Sequence, residues 1–271
     1  MLFKIINTLG LVAVVTASAE FVTGYSTNPG PVRLGNGTAY GPPESVGNGT
    51  VRSYVRYANG EAIELGVAMS EDVMQGLPKA SGDHPEGHLD MHEFVLDMPE
   101  GNPTPFKHIG FNWNPGGHEP PGIYDQPHFD FHFYMIPVAD RLAIIPTDTA
   151  AFNAKARNYP SPPFVPAGYI APAPVGIPQM GVHWIDPTSA EFNGQAFTRT
   201  FIYGSWNGKL IFAEPMITKA TIESKQTITT PIGVASSYAQ PGRYPSSYTI
   251  RWNEAARQYE VALTGLVSRK P

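Results

Sequence analysis

Apolar positions along this chain fall in short runs that alternate with polar ones, close to the period of two that a pleated strand imposes. Nine such runs stand out, at 49–57, 63–69, 93–98, 109–113, 129–136, 197–203, 209–214, 248–252 and 259–266. They are rich in aromatic and β-branched residues, which pack well on a sheet surface. Trp206-Asn207-Gly208 separates two of the runs, and Asn-Gly accepts the positive φ of a tight hairpin turn. Asn253-Glu254-Ala255-Ala256 joins another pair and predicts a C-terminal hairpin.

Helix signals are few. Ser70 is placed to cap a turn through Met74, with Glu71 and Asp72 favouring its N-terminus. Thr147 or Asp148 can cap a helix over 149–157, with Lys155 and Arg157 at the end where cations are favoured. The proline-rich stretch 159–178 reads as an extended crossing loop. With 28 prolines and 27 glycines in 271 residues, long helices have little room. The pattern predicts a mainly β fold, an antiparallel sandwich or barrel with a few short helices.

The N-terminus has a different order. Lys4 precedes an apolar stretch from Ile5 to Val15, broken by Asn7, Thr8 and Gly10, and Ala17-Ser18-Ala19 closes it. Charge, apolar run and small-residue closure are the sequence of a secretory signal peptide, and the stretch falls short of the roughly 20 apolar residues of a spanning helix. The expectation is cleavage after Ala19 and one β-rich domain over 20–271. That places the mature chain outside the cytoplasm (periplasmic, cell-surface or secreted), with no membrane association after cleavage.

The formal net charge of -5 and the lack of any Lys/Arg run argue against nucleic-acid binding. Cysteine is absent, so disulfides, thiolate ligands and a cysteine nucleophile are all excluded. Asn36-Gly37-Thr38 and Asn48-Gly49-Thr50 fit the glycosylation sequon but also read as plain turns.

Histidine carries the candidate chemistry. Seven of the eight histidines lie between His84 and His132, and the eighth is His183. In His128-Phe129-Asp130-Phe131-His132-Phe133, strand alternation puts three phenylalanines on one face and His128, Asp130 and His132 on the other. Imidazoles and a carboxylate on one face suit Zn, Fe, Mn or Ni, and the strand needs help from elsewhere to complete such a site. His118 on its proline-bounded loop and His183 in Met180-Gly181-Val182-His183-Trp184 are the candidates. The predicted metal-site residues are therefore His118, His128, Asp130, His132 and His183. Glu214, a single carboxylate in an apolar strand, needs a partner when buried and could join them. A hydrogen-bonded network that only satisfies buried polar groups is the competing reading. The spacing of His84, His88 and His92 reads as a surface loop, and His108 as structural.

The runs His118-Glu119-Pro120-Pro121-Gly122-Ile123-Tyr124, Pro127 to Tyr134, Val165-Pro166-Ala167-Gly168-Tyr169, Met180 to Trp184 and Thr200 to Ser205 resemble a family of exported bacterial proteins of unknown function, associated with extracytoplasmic stress regulons. The resemblance spans about Val51 to Arg269. It implies a mostly β domain and no particular reaction.

Several functional classes stay open at this point. One is a metal-binding protein or metal-dependent enzyme. A non-haem iron oxygenase would use His128, Asp130 and His183 as its triad, with Arg199 gripping an oxo-acid. A cupin lacks its His-x-His…Glu spacing here, and no Gly-x-Ser-x-Gly marks a serine hydrolase. The non-enzymatic class is a binding or assembly protein, for which abundant Tyr and Trp suit a small-molecule or glycan ligand or a homo-oligomer interface.

Overall fold

The computed structural model describes residues 35–80 and 90–270. The expected leader at 1–19, its expected junction at Glu20, and His84 and His88 lie outside the described residues. In chain order the strands are β1 (Gly37–Tyr40), β2 (Glu44–Val46), β3 (Gly49–Ala58), β4 (Glu61–Ser70), β5 (His92–Asp97), β6 (His108–Asn114), β7 (His128–Tyr134), β8 (Val182–Trp184), β9 (Arg199–Trp206) and β10 (Lys209–Thr218). They continue with β11 (Ile228–Pro231), β12 (Gly242–Tyr244), β13 (Ser247–Asn253), β14 (Gln258–Thr264) and β15 (Val267–Arg269). Three short helices join them, α1 (Val138–Leu142), α2 (Thr149–Arg157) and α3 (Lys219–Glu223).

Two antiparallel sheets carry the fold. One has the order β1-β3-β4-β14-β13-β11, with β2 paired to β3, and the other has the order β5-β6-β7-β10-β9-β8. Neither closes on itself, so the architecture is a sandwich and not a barrel. The inner faces share one core, in which Val55, Leu65, Val67 and Val261 of the first sheet meet Ile109, Phe111, Phe129 and Phe131 of the second. Phe111 lies 5.3 Å from Phe129 and 5.4 Å from Phe131, ring centre to ring centre, a spacing at which aromatic pairs add to plain area burial.

All nine expected strands form, with shifted ends. The 129–136 run stops at Tyr134, and the strand after the Asn207-Gly208 turn continues past Pro215 to Thr218. Asn207 and Gly208 take φ of 46° and 83°, as the hairpin requires. Asp148 caps α2 by accepting from the Ala151 amide at 3.0 Å. Ser70 does not cap. The Glu71–Met74 segment is a single 3-10 turn, and the Ser70 hydroxyl instead accepts from the Thr50 amide at 3.0 Å. The strands the alternation missed, β1, β2, β8, β11, β12 and β15, are all three or four residues long, too short to show a period.

The outer face of the first sheet holds a buried polar network. Arg251 donates from Nε to Glu260 at 2.8 Å and also pairs with Glu64, while Arg56 reaches Glu260 at 3.0 Å. Burial opposes ionisation of Glu260, but hydrogen bonds from Asn253 and Gln258 and the Arg251 charge outweigh it and hold the carboxyl at about 2. A depressed carboxyl contributes stability above its ordinary value near 4.5, and the contribution is lost as pH falls toward 2. Glu260→Gln should therefore unfold at lower temperature than wild type at pH 7 and converge on it near pH 2.5. Melting temperature measured against pH for both proteins checks this, and parallel curves would contradict it.

Candidate metal centre

β7 is buried along its whole length. Phe129, Phe131 and Phe133 enter the core, and His128, Asp130 and His132 point to the opposite face, beneath loops. The neighbouring strands set which groups surround them. β6 pairs Asn114 with His128 and Asn112 with Asp130. β10 places Ala213 beside Phe133 and Met216 beside Asp130, so Glu214 falls next to His132.

The five predicted residues do not form one site. They divide between two donor groups along β7, His118–His128–Asp130 and His132–His183–Glu214, each with its ligand atoms within 4.8 Å of one another. His183 reaches His132 and not the His128–Asp130 pair, so the His128/Asp130/His183 triad of an iron oxygenase is not assembled. Its position follows from strand order. β8 pairs with β9 so that His183 lies opposite Gly204, and its ring lies 5.4 Å from that of Phe212, which covers the glycine. Glu214 completes the second group. Its signal in the sequence was a lone carboxylate in an apolar strand. Arg199 lies elsewhere, within reach of Thr230 at 3.4 Å.

The first group has a specific proton problem. His128 Nδ1 lies 2.6 Å from the Gln126 carbonyl, and His118 Nδ1 lies 2.7 Å from the Glu119 carbonyl. A carbonyl only accepts, so both Nδ1 atoms carry the proton and both neutral rings present a bare Nε2 lone pair. Those lone pairs face Asp130, with His128 Nε2 3.1 Å from Oδ1 and His118 Nε2 3.5 Å from Oδ2. His128 Nε2 and Asp130 Oδ1 have no hydrogen-bond partner, while Oδ2 accepts from Asn114 Nδ2 at 2.7 Å. Three acceptors converge, and they stay together only with added protons or a cation between them.

Without a cation, protons do the work. Burial would raise the Asp130 carboxyl, but the His128 and His118 charges beside it hold it well below the usual range. Burial likewise pulls His118 down, and its hydrogen bond to Asp130 more than offsets this, leaving it raised. With a divalent cation, the same atoms become two nitrogens and one oxygen around a metal. Each ligand is already oriented from behind by a carbonyl or an amide, the outer arrangement that metal sites use to fix the histidine tautomer.

The second group balances differently. His132 Nδ1 meets Asn112 Oδ1 at 3.0 Å, and Nε2 is 3.2 Å from Glu214 Oε2. Burial pulls the His132 ring down to about 3 and pushes the Glu214 carboxyl well up, the latter reinforced by the Asp130 charge. His132 Nε2 and Glu214 Oε2 also make no hydrogen bond, but a neutral imidazole beside a protonated carboxyl needs only the carboxyl's own proton between them. His108 is a separate case. It stacks on Tyr134 at 4.7 Å, and burial together with Arg141 keeps it neutral, down at about 4.

A cavity of about 420 Å³ adjoins both groups. His118, Asp130, His132, His183 and Glu214 line it together with apolar residues that include Met180, Ile185, Phe192, Ile202 and Met216. His128 lies beneath, fully buried.

Residues 58–113 match a family model described as TTHB210-like, hypothetical protein TTHB210. The matched stretch runs from the end of β3 nearly to the end of β6, and it stops short of His118 and every donor of the two groups. No curated protein and no solved structure matches the chain. Among the described residues no helix is long and apolar enough to cross a membrane.

Proposed function

We propose that this protein is an extracytoplasmic metalloprotein that binds one divalent transition metal, Zn, Fe, Mn or Ni, through His118, His128 and Asp130. The observation that carries this reading is the convergence of two tautomer-fixed Nε2 lone pairs on a single buried carboxylate. Three protein ligands leave a coordination position to spare, and sites of that kind are catalytic more often than structural. The position would open on the 420 Å³ cavity, which favours a metal-dependent enzyme over a metal used only for stability. Export is supported by the order of residues 1–19 alone. For His132, His183 and Glu214 the neutral, proton-sharing pair favours a hydrogen-bond network at neutral pH.

Cobalt(II) tests the reading, since it substitutes for these metals and reports its geometry in the visible spectrum. Titration of the chelator-treated protein at pH 7.5 should reach one equivalent with a tetrahedral or five-coordinate signature. No stoichiometric binding would overturn the proposal, and two equivalents would overturn the network assignment of the second group.

A further inference from the structure

We infer that the cavity takes a compact apolar monocarboxylate, whose carboxylate ligates the metal and whose hydrocarbon body fills the apolar walls; this rests on the metal reading above.

Chemistry of the lining leads to this class. The rest of the lining is mostly Met91, Ile177, Met180, Ile185, Phe192, Ile202 and Met216, all aliphatic, thioether or aromatic. Methionine thioethers are flexible and adapt to irregular hydrocarbon shapes. A volume of about 420 Å³ is within the range of small-molecule sites. The body of the ligand is therefore hydrocarbon and not sugar, because a glycan would leave its hydroxyls unpaired against these walls.

The head group follows from charge. No lysine or arginine lines the cavity, while Glu119, Asp130 and Glu214 do. With His118 ligating the metal and therefore neutral, an anionic head has no protein cation to meet there, so the bound divalent metal is its counter-charge. The metal donors and the apolar residues line the same space. A carboxylate with a hydrocarbon tail satisfies both at once, whereas a polyanion such as a phosphate ester would bring extra charge that Glu119 opposes.

Two consequences separate this from generic stickiness. Carboxylate affinity should depend on the metal, and it should rise with chain length, since each buried methylene contributes about fourfold. The experiment uses the full mature chain loaded with one equivalent of cobalt, titrated with acetate, butyrate and octanoate and followed in the cobalt visible spectrum. Octanoate is expected to perturb the spectrum at a concentration at least tenfold below acetate. The chelator-treated protein should bind octanoate at least tenfold more weakly, as measured by displacement of the neutral dye Nile red. Ile185→Trp, which fills the cavity from a partly exposed wall, should keep one cobalt equivalent and the acetate response but lose the octanoate preference. Ile177→Trp, from the same cavity, is the second variant should the first fail to fold.

The outcomes are distinguishable. Failure to bind cobalt removes the metal reading itself. Cobalt bound with equal acetate and octanoate affinities leaves the metal reading standing and overturns the ligand class. Equal octanoate binding with and without metal overturns the assignment of the carboxylate to the metal.

Discussion

Asp130→Asn is expected to weaken metal binding at least 100-fold, in a metal-free protein that still folds but melts below wild type. The first half follows from charge, because the substitution removes the only anionic ligand of the His118–His128–Asp130 group. Losing outer partners of a metal ligand already costs about 10- to 100-fold, and an inner ligand should cost more. The second half follows from hydrogen-bond geometry. The Asn amide nitrogen would donate to the His128 Nε2 that now faces a carboxylate oxygen at 3.1 Å, and its oxygen would still accept from Asn114. The His128 contact is then satisfied without a proton or a cation, but the amide oxygen still faces His118 Nε2 at 3.5 Å and no longer balances its charge. Metal should raise the melting temperature of wild type and not that of the variant, since a ligand stabilises only the state that binds it.

This result also decides between the metal and the structural reading. If Asp130 served only as the counter-ion of its histidines, no metal-linked shift in melting temperature would exist in either protein. A pH titration adds a second discriminator. The raised His118 holds a proton that a metal must displace, so affinity should fall as pH drops from 7.5 to 5.5, with protons released on binding. Metal affinity independent of pH over that interval would contradict the assignment of His118 as a ligand.

Much of this site could be read from the chain, and what could not has physical causes. The alternation of β7 was legible because three phenylalanines demand a core and so fix which way His128, Asp130 and His132 point. Division of the donors into two groups was not legible, because it depends on strand order. Nothing local says that β10 lies beside β7 and brings Glu214 to His132, or that β8 lies two strands further on with His183 facing Gly204. The role of the β6 amides was hidden for the same reason. Asn112 and Asn114 read as ordinary strand residues until the β6–β7 register places them behind Asp130 and His132. In the fold, long strands announced themselves, while β8, the strand that delivers His183, is three residues long and shows no period at all.

Gly204→Ala should lower the melting temperature by roughly 6–12 °C, taking overpacking at about 3 kcal/mol and about 2–4 °C per kcal/mol for a domain of this size. A Cβ built on Gly204 would stand 1.9 Å from Phe212 Cε1 and 2.2 Å from its Cζ, distances that real atoms do not tolerate. The Phe212 ring must move, and it is fully buried. It sits edge-on to His132 at 4.9 Å, edge-on to Tyr134 at 5.3 Å, and 5.4 Å from His183. One ring thus holds both imidazoles of the His132–His183–Glu214 group in place, and Gly204 is what lets the ring lie there. The strain should be relieved by shrinking the ring, so Gly204→Ala combined with Phe212→Leu should melt higher than the sum of the two single losses predicts. Displacement of the ring leaves His118, His128 and Asp130 untouched, and the variant should still bind one equivalent of cobalt. A Gly204→Ala protein that melts with wild type would show that Phe212 is free to yield and does not clamp the second group. Loss of cobalt binding in a folded variant would show that the two groups act as one site.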